Sequence, residues 1–92
     1  MTKALISCYF ETANAVFLAG SFNGWDPTVN PMEREDGGRW TTTLNLAPGR
    51  HEFKFVVDGA WCCEPGCAAL NADSPRCIEN AFGTKNCLLK VH

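Results

Sequence analysis

The stretch that decides the fold is HEFKFVVDGAW, residues 51–61. Apolar and polar side chains alternate along it, which is the pattern of a β-strand with one face in the core and one face in water. Phe53, Phe55 and Val57 should face the core, and Lys54 should therefore point outward. The stretch predicts a strand that carries polar side chains on an exposed surface.

Within this stretch, Asp58-Gly59 indicates a hairpin turn that should deliver Trp61 onto a neighbouring strand. Further runs with strand character are separated by turn residues, and no window shows sustained helical periodicity. The pattern predicts one all-β domain over residues 1–92, either a β-sandwich or a small barrel, with a less regular, cysteine-rich loop at residues 62–81. The other strand runs lie at residues 4–10, 16–19, 40–46 and 86–91.

The charge of the chain limits the classes of ligand that it can bind. Its 92 residues carry a net charge of −2, and no run is rich in lysine or arginine. We therefore expect no nucleic-acid partner and no polybasic membrane anchor, because both depend on clustered positive charge. The apolar run at the N-terminus is too short for a signal peptide or a membrane span, which favours a cytoplasmic location.

Six cysteines are many for a cytoplasmic chain of this size. An even count is compatible with disulfides, but without a secretory signal we favour reduced thiols packed in or under a loop. A disulfide and a zinc ion held by thiolates at short spacing remain as alternatives. We predict no cofactor. The candidate zinc ligands are Cys62, Cys63, Cys67 and Cys77.

Catalytic machinery is hard to assemble from these residues. Paired carboxylates can hydrolyse glycosides at a suitable separation, but the acidic cluster at residues 33–36 lies beside two glycines and is typical of a solvated turn. His51 opens a strand and His92 is the last residue. Because no nucleophile, base and orienting group occur together, we predict that the chain is not an enzyme.

Two of the three tryptophans lie in turn-rich settings. Trp25 follows a run of turn formers and Trp61 follows a hairpin turn, whereas Trp40 is in phase with apolar neighbours and is expected in the core. An indole on a loop is costly to expose unless it packs or binds. It can stack on the C–H face of a glucopyranose, while asparagine and lysine hydrogen-bond the hydroxyl groups. Taken alone, the two indoles thus indicate either a shallow sugar site or packing in the core.

The chain resembles the family 48 carbohydrate-binding modules in three stretches, which occur in the family's order. It is similar to the glycogen-binding domain of the AMP-activated protein kinase β subunit, and to the modules that precede the catalytic domains of isoamylases and branching enzymes. The resemblance implies an immunoglobulin-like β-sandwich of about seven short antiparallel strands. The matching stretches are VFLAGSFNGW (residues 16–25), LAPGRHEFKFVVDGAW (residues 46–61) and FGTKNC (residues 82–87).

The same resemblance implies non-catalytic binding of α-1,4-linked glucans such as glycogen, starch and maltooligosaccharides. The family's contacts to the sugar are two stacking tryptophans, a hydrogen-bonding lysine, an apolar residue that protrudes into the ring of the glucan, and a pair of polar side chains. The positions that match them, in the same order, are Trp25 and Trp61, Lys54, Phe82, and Thr84 and Asn86.

Residues 62–81 depart from the kinase-type module in length and in their four cysteines. This departure would either reshape one wall of the groove or impose a metal or redox requirement. Two other functions stay open. A protein-interaction or regulatory module would use the same aromatic patch, and a cysteine-based redox enzyme would need positive charge beside a reactive thiol. The expected partner is an α-glucan, and a separate glucan-active enzyme or regulatory protein is a further candidate.

Overall fold

The computed structural model describes residues 2–63, 67–70, 72–80 and 83–92. Nine strands are present in these ranges, together with one 3₁₀ turn at Asp36–Gly38. None of the helical structure in the described ranges is long or apolar enough to cross a membrane. The strands are β1 Thr2–Tyr9, β2 Val16–Gly20, β3 Glu33–Arg34, β4 Arg39–Leu46, β5 Gly49–Val57, β6 Ala60–Cys62, β7 Ala68–Leu70, β8 Ala72–Glu79 and β9 Lys85–Val91.

The strands form two antiparallel sheets, which confirms the predicted all-β sandwich. One sheet has the order β3-β4-β1-β7, and the other has the order β2-β5-β9-β8 with β6 paired to β5. The described residues form nine strands where the resemblance implied about seven, and three of the nine, β3, β6 and β7, are only two or three residues long. Such short strands leave little trace of alternation in a sequence.

The core lies between the sheets and follows the predicted alternation. Phe53 and Phe55 are fully buried, and Val57 packs half-buried against the same cluster. Trp40 is buried as expected, and its indole Nε1 donates a hydrogen bond of 3.0 Å to the carbonyl oxygen of Phe10. Because alternate side chains of β5 fill the core, the others project from the outer face of the five-stranded sheet.

The cysteine-rich stretch at residues 62–81 is not the loop that the sequence predicted, because it contains β7 and β8. Strand β8 is the edge strand of its sheet and includes Pro75, which lacks a backbone N–H. The pairing of β8 with β9 shifts register between Asp73 and Arg76, so a bulge accommodates the proline. A strand with an internal proline and a bulge has no regular alternation, and sequence periodicity therefore misses it.

The turn between β5 and β6 has the conformation that its sequence predicts. Asp58 and Gly59 both have positive φ, 50° and 86°, as a type I′ hairpin turn requires. The carboxylate of Asp58 also accepts hydrogen bonds of 2.9 Å from the backbone amides of Asn14 and Ala15. One aspartate thus fixes the hairpin that presents Trp61 and ties it to the loop before β2.

We expect Asp58→Ala to lower the free energy of unfolding by about 1–2 kcal/mol, because two backbone amides lose a charged acceptor and alanine tolerates positive φ poorly. Asp58→Asn should cost about half as much, since asparagine keeps one acceptor oxygen and accepts the left-handed conformation. Urea unfolding of the three proteins measures both values. Equal stability of wild type and Asp58→Ala would contradict this role.

Candidate functional site

A cleft of about 380 Å³ opens on the outer face of the five-stranded sheet. Five of the six predicted sugar contacts line it, and the sixth, Phe82, lies outside the described residues. Asn80 also lines the cleft and was not predicted. The lining residues are Trp25, Lys54, Trp61, Asn80, Thr84 and Asn86.

Trp25 stands on a loop whose shape is fixed by hydrogen bonds. The amides of Asn23 and Trp25 both donate to the carbonyl oxygen of Gly20, at 3.1 and 2.9 Å. The side chain of Asn23 accepts from the Gly20 amide and donates to the Leu18 carbonyl, each at 3.0 Å. Trp25 itself has a φ of 61°, which is rare for a bulky residue and persists only where the surroundings impose it. The hydrogen bonds of the loop therefore fix the position of the Trp25 side chain.

The same loop is held closely against β5. A Cβ atom on Gly20 would lie 2.6 Å from the carbonyl oxygen of Glu52, so only glycine fits there. The Ser21 amide donates to that carbonyl at 2.8 Å, and the Ser21 hydroxyl accepts from the Glu52 amide at 3.2 Å. These contacts place the Trp25 loop beside the strand that carries Lys54.

Asp26 fixes the turn that follows Trp25. Its Oδ1 accepts hydrogen bonds from the Thr28 hydroxyl at 2.6 Å and from the Thr28 amide at 2.9 Å. Both hydrogen bonds lower the pKa of Asp26, and the one from the Thr28 hydroxyl has the larger effect. Since the pKa of Asp26 is lowered in the folded chain, its carboxylate is ionised and accepts both hydrogen bonds at neutral pH. These hydrogen bonds weaken only as the pH falls through the lowered pKa.

Trp61 lies across the cleft on β6, opposite Val56 of β5, and 45% of its surface is exposed. Trp25 is 36% exposed. Lys54 lies on the outer face of β5, as the alternation predicted, and its Nζ donates a hydrogen bond of 3.0 Å to Thr84 Oγ1. The structure thus brings together residues that are far apart in the sequence, on a loop, two strands and a turn.

A polar network forms the floor of the cleft. Asn80 Nδ2 donates to Thr84 Oγ1 at 2.8 Å and to Asn86 Oδ1 at 3.0 Å. Asn86 is buried, and its Nδ2 donates to Glu52 Oε1 at 3.1 Å. Thr84 Oγ1 accepts from Asn80 and Lys54 together, so its hydroxyl hydrogen can point to a ligand. Sequence reasoning missed Asn80 and Glu52, because their roles arise only from the pairing of β8, β9 and β5.

The chemistry of this cleft is stacking and hydrogen bonding. Two indole faces offer apolar contact with negative quadrupole density. The floor offers amide and hydroxyl groups held in fixed orientation, together with a single ammonium group. Such a site suits a neutral, polyhydroxylated ring with an apolar face.

The cysteines are arranged differently from the prediction. Cys63 and Cys77 form a disulfide, where the sequence favoured reduced thiols. Cys87 lies beside them, with its Sγ 2.8 Å from Cys63 Sγ. Of the predicted zinc ligands, Cys62 and Cys67 are absent from the metal-compatible cluster found among the described residues, which consists of Cys63, Cys77 and Cys87. Pairing of β8 with β9 puts Cys77 directly opposite Cys87, which spacing along the chain could not show.

Comparison with known proteins agrees with the resemblance found in the sequence. Residues 6–92 match the family model of the glycogen recognition site of AMP-activated protein kinase. The chain is 47% identical to Protein FLOURY ENDOSPERM 6, chloroplastic, of Oryza sativa subsp. japonica over 53 residues, which cover 58% of this chain and 10% of that protein. It is 43% identical to Protein PTST homolog 2, chloroplastic, of Arabidopsis thaliana over 55 residues, 60% of this chain and 10% of that protein.

Similarity to a kinase subunit covers more of the chain. The chain is 31% identical to 5'-AMP-activated protein kinase subunit beta-2 of Mus musculus over 81 residues, which cover 88% of this chain and 26% of that subunit. The matched region thus amounts to between 10% and 26% of the length of these three relatives. The family match extends over nearly all of the chain and agrees with the sandwich fold. The chain belongs to the family of the glycogen recognition site of AMP-activated protein kinase.

Proposed function

We propose that this domain binds α-1,4-linked glucans of the glycogen and starch type in the cleft between Trp25 and Trp61, without acting on them chemically. The observation that carries the proposal is the pair of exposed indoles on either side of a floor of fixed hydrogen-bonding groups. The family to which the chain belongs, described as a glycogen recognition site, supports the choice of glucan.

The contacts divide into two kinds with different tasks. Trp25 and Trp61 stack on the apolar faces of glucose units, which removes apolar surface from water and supplies most of the affinity. Lys54, Thr84 and Asn86 hydrogen-bond the hydroxyl groups, which sets the orientation of the sugar. Asn80 and Glu52 act through these groups by holding Thr84 and Asn86 in place.

The residues that line the cleft support binding without catalysis. Hydrolysis of a glycoside uses two carboxyl groups on either side of the scissile bond. Among the described residues of the lining there is neither an aspartate nor a glutamate, and the single charged group is that of Lys54. We propose this binding role only for the domain and not for any longer protein that contains it, since the relatives are several times longer than the chain.

A titration with β-cyclodextrin, a ring of α-1,4-linked glucose, tests the proposal. We expect saturable amide NMR shifts centred on Trp25, Lys54, Trp61 and Asn86, together with a change in tryptophan fluorescence. Cellohexaose, in which the same sugar is β-1,4-linked, is the control ligand and should bind more weakly. A folded protein that does not respond to β-cyclodextrin would refute the proposal and favour a protein partner for the aromatic patch.

Replacing Lys54 with methionine should weaken β-cyclodextrin binding by about tenfold, because a charge-assisted hydrogen bond to the sugar is lost while the apolar stem remains. Lys90→Met is the matched control, since Lys90 is an exposed lysine on β9 that lies outside the cleft. It changes the net charge by the same amount and should leave the affinity unchanged. An equal loss in the two variants would show a general effect of charge and contradict the contact.

A further inference from the structure

Three cysteine sulfurs converge at one point on the inner side of the five-stranded sheet. The Sγ atoms of Cys63, Cys77 and Cys87 all lie within 4.8 Å of one another. Cys77 and Cys87 are directly opposite each other on β8 and β9, and Cys63 follows the last residue of β6. Cys87 is fully buried, and the other two are half-buried. Three separate segments therefore supply one sulfur each.

We propose that these three cysteines bind one zinc ion as thiolates when the Cys63–Cys77 disulfide is reduced. A dithiol reductant would transfer two electrons and two protons to the disulfide, forming two thiols and itself becoming a disulfide. Zinc would then displace the thiol protons and form three Zn–S bonds. The cluster would thus have an oxidised, disulfide-bonded state and a reduced, zinc-bound state.

The geometry fits this assignment. Tetrahedral zinc with Zn–S bonds of about 2.3 Å requires sulfurs about 3.8 Å apart. The three sulfurs lie within 4.8 Å of one another, and those of Cys63 and Cys87 are 2.8 Å apart, so they must move outward once the disulfide is open. Rotation about the Cα–Cβ bonds of the cysteines provides this movement. Three protein ligands leave one coordination position for water or another donor.

The site also has a defined place in the fold. Its ligands are close in sequence to residues of the cleft, because Cys63 follows Trp61 by two positions and Cys87 directly follows Asn86. Successive side chains on a strand point to opposite faces, so Asn86 faces the cleft while Cys87 faces the core. Zinc would join the end of β6 to β8 and β9 behind the cleft. Zinc binding by these cysteines does not depend on a glucan in the cleft.

The test uses the whole chain, reduced with a phosphine under anaerobic conditions and then mixed with Zn²⁺ or Co²⁺. We expect native mass spectrometry to find one zinc ion per chain, and cobalt to give the thiolate charge-transfer absorption of a tetrahedral site. Zinc should also protect Cys63, Cys77 and Cys87 from alkylation, as mapped on peptides. A reduced, folded chain that takes up no metal would overturn the proposal.

Two serine variants separate this cluster from the set predicted by spacing alone. Cys87→Ser should weaken zinc binding by at least about 100-fold, because loss of a direct ligand costs no less than loss of an outer-shell partner. Cys62→Ser should bind zinc as tightly as wild type. Loss of zinc in Cys62→Ser but not in Cys87→Ser would overturn the assignment. If Cys87→Ser does not fold, the alkylation map of the wild type identifies the zinc ligands instead, because zinc should protect Cys87 and leave Cys62 reactive.

Discussion

Replacing Trp61 with alanine is expected to weaken binding of β-cyclodextrin by about 30-fold or more, a loss of about 2 kcal/mol in binding free energy. The indole presents a large, rigid apolar face at the edge of the cleft, and 45% of its surface is exposed in the unliganded chain. Truncation removes that face and leaves the hydrogen-bonding floor without the stacking that we propose anchors the sugar. Isothermal titration calorimetry measures the change.

The matched control is Tyr9→Ala, because Tyr9 is also an aromatic residue with 62% exposure, but it lies on β1 of the other sheet. It should bind β-cyclodextrin with wild-type affinity. The amide NMR spectrum of Trp61→Ala should keep the dispersion of a folded β-sandwich. Wild-type affinity in a folded Trp61→Ala variant would remove Trp61 from the site.

Replacing Phe55 with alanine should lower the free energy of unfolding by about 3–5 kcal/mol, the cost typical of truncating a buried phenylalanine. The ring is fully buried and makes edge-to-face contacts with Phe10 and Phe53, at centroid distances of 5.5 and 5.3 Å. Domains have total stabilities of about 5–15 kcal/mol, so the variant should be close to unfolding. Urea denaturation followed by tryptophan fluorescence measures the loss.

Two further variants calibrate that value. Phe55→Leu keeps most of the apolar volume and should cost about 1.5 kcal/mol. Val29→Ala removes an apolar side chain that is 52% exposed and should change stability by less than about 0.5 kcal/mol. A loss below about 1 kcal/mol in Phe55→Ala would mean that this ring is not a central part of the core.

Much of the candidate site could be predicted from the sequence. The alternation around Lys54 gave its outward direction, and the Asp58-Gly59 turn gave the exposed position of Trp61, because both are local properties of the backbone. The family resemblance added Thr84 and Asn86, which the structure places in the same cleft. The sugar contacts, the role of Phe82 and the cytoplasmic location remain predictions.

Other parts of the site could not be predicted, because they depend on contacts between distant residues. Asn86 donates to Glu52 across 34 positions of sequence, and this hydrogen bond exists only because β9 pairs with β5. Asn80 lies in a stretch that was expected to be irregular, since Pro75 and a bulge hide the strand before it. A side-chain contact with a neighbouring strand cannot be predicted until that strand and its register are known.

The sequence by itself determined which residues of β5 face the core, where the hairpin turns, and that the fold is all-β. Each of these follows from alternation or from turn chemistry within a few neighbouring residues. Only the tertiary structure decided that Cys87, rather than Cys62 or Cys67, joins Cys63 and Cys77. It also decided that Trp25 has a positive φ angle and that its side chain lines the cleft. The physical reason is that strand pairing and sheet packing choose partners across the whole chain, whereas periodicity reports only which face of a strand a residue occupies.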